Sequence, residues 1–237
     1  MAEQTSNGLR DGPSPGRHVH HDEAPGPEAA ERRRRAVLAG HHDDEAAART
    51  FLADPEAVVR AAAVGALERI GALDDDELAH ALADPDPAVR RRALEVVGSP
   101  GALARPGVGV VAGASLPDLL ADGDASVVEV ACWAAGEHPG LAEVLVGPVV
   151  AVASGHDDPL CRESAVAALG ALGHDDGRAA VLGGLAERAT IRRRAVLALA
   201  AFEGADVEAA LTAALEDRDW QVRQAAEDLL GVEGQAG

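Results

Sequence analysis

Apolar residues in this chain recur every three to four positions in short blocks, the period of an amphipathic helix. The blocks themselves also repeat. Val59-Arg60-x-x-Ala63-x-x-x-Leu67 returns as Val89-Arg90-x-x-Ala93-x-x-x-Val97, Val127-Val128-x-x-Ala131-x-x-x-Ala135, Cys161-Arg162-x-x-Ala165-x-x-x-Leu169, Ile191-Arg192-x-x-Ala195-x-x-x-Leu199 and Val222-Arg223-x-x-Ala226-x-x-x-Leu230. Successive phrases are 30, 38, 34, 30 and 31 residues apart. A repeat at this period marks a solenoid in which one supersecondary unit stacks on the next. The Val, Ala and Leu positions lie four apart and form one apolar stripe, and the Ala at its centre leaves room for close helix approach. The predicted fold class is therefore all-α, an α-α superhelix of about six helix-pair repeats.

Each unit predicts a shorter first helix, such as 44–53 or 75–83, followed by a longer second helix carrying the phrase. Asp54-Pro55, Asp84-Pro85, Asp86-Pro87 and Asp158-Pro159 mark the corners. There an Asp side chain caps free amides beside a residue suited to the first helical turn. Arg33 and Ala36 fit the phrase loosely and suggest a degenerate capping repeat at the start of the solenoid. The 38-residue step contains Gly98-Ser99-Pro100-Gly101, Pro106-Gly107 and Gly113, so residues 98–115 read as an irregular interruption followed by a short first helix at 116–121. Residues 1–27 hold four prolines and almost no aliphatic side chains, which predicts a disordered tail. The solenoid spans 28–232, and 233–237 form a flexible C-terminus.

Composition narrows the partners. The chain of 237 residues is 47% apolar but only 2% aromatic. Its formal charge of −19 disfavours nucleic acid and anionic membrane surfaces and favours a basic protein or peptide. Two cysteines make no disulfide framework, and neither a signal-like stretch nor a membrane-length apolar run stands out. The expected setting is cytoplasmic. Cys132 and Cys161 occupy apolar positions and read as buried, inert thiols.

The phrase, the Asp-Pro corners and the period of about 30 residues together resemble HEAT-repeat proteins of the short bacterial type, similar to the phycobilisome-lyase HEAT-like repeats. The resemblance covers roughly residues 30–232 and specifies fold better than function. It implies a non-enzymatic scaffold or adaptor that binds a protein or peptide on a concave helical surface. The alternative is an enzyme or enzyme subunit: a lyase-like chaperone for a cofactor-bearing protein, or a degenerate relative of the deoxyhypusine-hydroxylase class. That hydroxylase class uses His-Glu dipeptides as metal ligands, and this sequence contains none. DNA glycosylases also share the fold, but they need a basic concave surface with aromatic or acidic groups. No catalytic residue, metal ligand or cofactor is assigned.

The repeated Arg, with an Asp six residues before it at Asp54/Arg60, Asp84/Arg90 and Asp217/Arg223, reads as structural bridging within and between repeats. Arg162 and Arg192 belong to the same column. His-acid loops at 41–44, 156–158 and 174–176 have ligand chemistry, but they fall where helix corners need capping. The third repeat departs from the pattern. Val128 replaces the Arg, and Val130 and Trp133 occupy positions held elsewhere by pairs such as Ala62/Gly65, Arg92/Glu95 and Ser164/Ala167. Three residues apart, Val130 and Trp133 share a face. With Val128 they form the candidate partner-binding patch. A second reading has residues 98–115, with Val108, Val110 and Val111, folding over Trp133 as a local core. Trp220 reads as terminal packing.

Overall fold

A computed structural model describes residues 26–231. Within them lie fourteen α-helices: α1 (Pro27–His41), α2 (Glu45–Thr50), α3 (Ala57–Ile70), α4 (Asp75–Leu82), α5 (Pro87–Val97), α6 (Pro100–Leu103), α7 (Pro106–Leu119), α8 (Ala125–Gly136), α9 (Ala142–Gly155), α10 (Pro159–Leu172), α11 (Arg178–Gly184), α12 (Ala189–Ala198), α13 (Ala205–Ala214) and α14 (Trp220–Leu230). Of the expected tail at 1–27, residues 1–25 lie outside the described residues, as does the terminus at 233–237, and Pro27 begins α1.

The helices form two rows. The first-helix row is α2, α4, α7, α9, α11 and α13. The second-helix row is α1, α3, α5, α8, α10, α12 and α14, each packed on its neighbours along the row. Small residues permit that stacking. A Cβ on Gly40 would stand 2.8 Å from the Ala66 backbone, one on Gly136 3.3 Å from Ala168, and one on Gly170 2.7 Å from Ala198. These contacts fix the register of α1: Gly40 occupies the place of Gly136 and Gly170, so Arg32, not Arg33, aligns with Arg60. The Val, Ala and Leu stripe is buried through most of the array, for example Val59, Ala63, Leu67, Val89, Ala93 and Leu169.

Corners are built from short polar side chains. Asp86, Asp124, Asp158 and Asp219 accept backbone amides at the starts of α5, α8, α10 and α14. Asp74 and Glu77 form a reciprocal capping box on α4. Gly71 and Gly173 close α3 and α10 with φ of 75° and 61°, a conformation that costs glycine nothing.

Residues 98–115 are not an irregular bulge. They contain α6 and most of α7, a 14-residue first helix. Pro106 lies in the first helical turn, where its missing N–H costs nothing. A side chain at Gly107 would collide with the Asp75 carboxylate, so this glycine serves close approach to α4. Arg105 anchors the junction by donating to the Leu73 carbonyl at 2.7 Å and to Glu68 at 3.2 Å. No single helix among the described residues is long and apolar enough to cross a membrane.

Candidate functional site

A ladder of arginines ties each second helix to the next repeat. Arg60 donates from Nε and Nη2 to both oxygens of Asp84 at 2.8 and 2.7 Å, and from Nη1 to the Asp54 carbonyl at 2.9 Å. Arg90 repeats this with Asp122 and the Asp84 carbonyl. Arg192 does so with Asp217 and the Glu187 carbonyl, and Arg32 bonds Asp54 in the same two-pronged way. Each acceptor also takes its own corner's amide two residues on, as Asp54 takes Glu56 N–H and Asp84 takes Asp86 N–H. The Asp and Arg six residues apart thus meet through the Asp carbonyl, while the carboxylate serves the preceding repeat. The Arg32 hydrogen bond holds Asp54 below the usual carboxylate range, and Arg192 does the same for Asp217. At Asp84, burial pushes upward but the Arg60 bond and neighbouring charges outweigh it.

The ladder fails at one joint, on both sides at once. Val128 stands in the donor column, and His156 in the acceptor column, six residues before Arg162. Like Asp54 and Asp84, His156 accepts the amide two residues on: its Nδ1 takes Asp158 N–H at 3.0 Å. Its carbonyl takes Arg162 Nη1 at 2.6 Å. The next joint is also thin. Arg162 reaches Glu187 through a single 3.2 Å bond, and its buried Nε has no hydrogen-bond partner. Arg223, in the last repeat, bonds the Asp217 carbonyl.

Trp133 stands on α8, five residues beyond Val128. Its indole rests over Gly98, where a Cβ would come within 2.5 Å of the ring, and it remains 43% exposed. On its other side a cleft of about 260 Å³ opens between α8 and α10, lined by Trp133, Glu137, Glu163, Ser164, Ala171 and Arg194 among others. Val130 is half-buried against the core. Val128 is fully buried, so it cannot contact a partner; its apolar side chain fills the position from which an arginine would otherwise reach the next corner. Of the segment expected to cover the indole, Gly98 underlies it. Pro106–Leu119 lies in the other row with Val108 buried and Val110 75% exposed. Trp220 is 64% exposed in the first turn of α14, not packed.

The His-acid loops act at corners: Asp44 caps α2, and the His174 side chain accepts Asp176 N–H. Among the described residues no group of three His, Cys, Asp or Glu side chains is placed to hold a metal ion. Cys132 and Cys161 are free and buried. Burial pushes the Cys132 thiol far up and Cys161 up to about 11. Sequence reasoning missed a second cleft of about 390 Å³ on the same row, across α1, α3 and α5. It is lined by Arg33, Arg69, Arg91 and Arg92 beside Val37 and Val58. The signal was present in Arg33 and Arg91, each following a ladder arginine, but the reading dwelt on the ladder column itself.

No protein-family model and no curated protein matches the sequence. Solved structures do. An engineered protein aligns with TM-score 0.59 at 17% identity, over 79% of this chain and 95% of its own. The YibA protein of Escherichia coli aligns at 0.55 and 16% identity, over 89% of this chain and 77% of its own. A designed armadillo repeat protein in complex with the peptide (KR)4 aligns at 0.55 and 15%, over 86% and 98%. At these identities the likeness concerns fold alone, and the fold is an armadillo/HEAT-like all-α solenoid.

Proposed function

We propose that this chain is a non-enzymatic scaffold or adaptor that holds a protein or peptide partner on the exposed face of its second-helix row. The observation that carries this reading is Trp133. A large aromatic ring is costly to leave in water and is the residue type that most often dominates an interface. Here it is half-exposed at the mouth of a cleft, supported by a glycine that keeps its seat open. Arg194 and Glu163, with 45% and 24% of their side chains exposed, supply polar groups beside it. Val130, half-buried against the core on the same helix, is a secondary anchor. The designed armadillo protein of similar fold, found with a peptide, makes an extended segment a natural occupant of such a row.

The likeness to phycobilisome-lyase repeats rests on the phrase and corners. It would make a chaperone for a cofactor-bearing protein one form of the same scaffold.

The test uses the two tryptophans. In a Trp220→Phe background Trp133 is the sole indole reporter. Peptides selected from a displayed library on this protein are expected to shift its emission and to lose about tenfold affinity, or 1.4 kcal/mol, with Trp133→Ala. Selected peptides that bind without moving the emission or sensing the substitution would sink the Trp133 site. A chromophore or metal that co-purifies stoichiometrically would favour the enzyme-subunit reading.

A further inference from the structure

We infer that the cleft across α1, α3 and α5 is a docking site for an acidic, extended peptide segment, a conclusion that rests on the scaffold reading above and names the chemistry of its partner. The cleft brings Arg33 from α1, Arg69 from α3, and Arg91 and Arg92 from α5 to one lining of about 390 Å³. Arg33 and Arg69 have no hydrogen-bond or ion-pair partner among the described residues. Arg91 donates to the Ser126 hydroxyl at 3.3 Å and has Asp124 within electrostatic reach. Arg92 pairs with Glu95, and its guanidinium lies where a Cβ on Gly65 would stand, so that glycine makes room for it. In the ladder, by contrast, every Arg of a complete joint is bound to two carboxylate oxygens. Glu95 also lines the cleft, paired with Arg92, and further negative charge gathers in corners and first turns such as Asp74, Asp75, Asp76 and Glu77. The net charge of −19 therefore does not describe this surface, and the basic partner it suggested is the wrong sign for this cleft.

A peptide fits better than nucleic acid. The floor between the guanidinium groups is apolar, with Val37 at 42% exposure alongside Val58, Ala61 and Ala62. Further along the same row Glu137 and Glu163 share the lining with Arg194, so the run of positive charge does not continue. A continuous phosphate backbone would meet mixed charge there, whereas a segment with a few carboxylates and small apolar residues matches what is present. Stacked helices lie about 8–10 Å apart and an extended chain advances about 3.3 Å per residue, so carboxylates every third residue meet one helix each.

The test is fluorescence anisotropy on the full chain at near-physiological salt, with labelled dodecapeptides (Glu-Ser-Val)4, (Gln-Ser-Val)4 and (Lys-Ser-Val)4 and a single-stranded DNA dodecamer. Only the Glu peptide is expected to bind well, and added salt should weaken it. Arg69→Glu with Arg91→Glu alters two exposed side chains that make no ion pair, and circular dichroism checks that folding is retained. That variant should weaken the Glu peptide about tenfold or more and invert the preference toward the Lys peptide. Equal binding of the Gln peptide, indifference to the charge reversal, or tighter DNA binding lost in the same variant would each overturn the inference. If the Glu peptide fails while library peptides still report on Trp133, this inference alone falls. If both fail, the scaffold reading falls with it.

Discussion

The double gap in the arginine ladder can be repaired, and the repair measures what each rung contributes. Val128 and His156 occupy the donor and acceptor columns of one joint; the flanking complete joint joins Arg90 to Asp122 by bonds of 2.8 and 2.9 Å, with side chains 15% and 10% exposed. Val128→Arg alone places a guanidinium in a fully buried position without its carboxylate. Overpacking and the unpaired donors should together cost about 2–5 kcal/mol. His156→Asp alone keeps an acceptor for Asp158 N–H but adds an uncompensated carboxylate, a cost of about 1 kcal/mol. The double variant recreates the rung. It should therefore be more stable than the sum of the single effects by about 1.5–3 kcal/mol, the range for hydrogen bonds to charged groups, and above the 0.2–1 kcal/mol of exposed pairs.

Urea unfolding of the four proteins at neutral pH, followed by circular dichroism, gives the coupling energy directly. Because repeat arrays can unfold in segments, hydrogen exchange of the α8 and α10 amides should accompany it, with protection falling in the Val128→Arg single variant and returning in the double. A coupling within about 0.5 kcal/mol of zero would refute the reasoning: His156 would then not stand in for the ladder Asp, and the loss of the Arg and of the Asp at one joint would be unrelated events.

Other outcomes follow from the same geometry. Arg60→Met removes a two-pronged partner from Asp84 and should cost about 1.5–3 kcal/mol in denaturant unfolding, while Arg223→Met, in the last repeat with a single bond to the Asp217 carbonyl, should cost less than about 1 kcal/mol. Asp54, Asp84 and Asp217 all have folded pKa values below the unfolded value of about 3.9. Their contribution is thus present above that pH and lost as pH falls through the folded values. Thermal midpoints should be flat from about pH 5 to 8, drop below about pH 4, and drop less steeply in Arg60→Met. Gly98→Ala should displace the indole and shift Trp133 emission in the Trp220→Phe background while the helix content is unchanged; an unmoved spectrum would mean the seat is not tight. Both buried thiols should react with a disulfide reagent at pH 8 only when denaturant is added, and rapid native labelling would contradict the burial of Cys132 and Cys161.

The second-helix row was legible in the sequence because its rule is local. A Val, an Ala and a Leu four apart need one helix and one partner surface, and both recur with the period. The same chain misleads where a residue type serves two purposes. Glycine and proline at 98–115 read as breakers, yet Pro106 starts α7 and Gly107 lets it approach Asp75. Only the packed neighbour distinguishes a glycine that frees the backbone from one that makes room. Arg32 and Arg33 are equivalent by eye, and the contact of Gly40 with Ala66 decides between them. The break at Val128 was visible, but its counterpart at His156 was not, because the ladder joins residues 22 to 32 apart in sequence while only the constant spacing of six catches the eye.

Charge was the least legible property, for a physical reason. Net charge governs long-range solubility and steering, whereas docking depends on the side chains that line one surface within a Debye length of about 10 Å. Many corner amides of this array are capped by Asp, so it accumulates acid at its turns whatever it binds. Where arginines are bound to those carboxylates they carry no information about a partner. Arg33 and Arg69, which are not so bound, do. The sign of a partner is therefore better read from the unpaired charges of the row's exposed face than from the total of −19, and on that reading the two ends of the face differ: an arginine-lined cleft on α1, α3 and α5, and an aromatic cleft with mixed charge on α8 and α10.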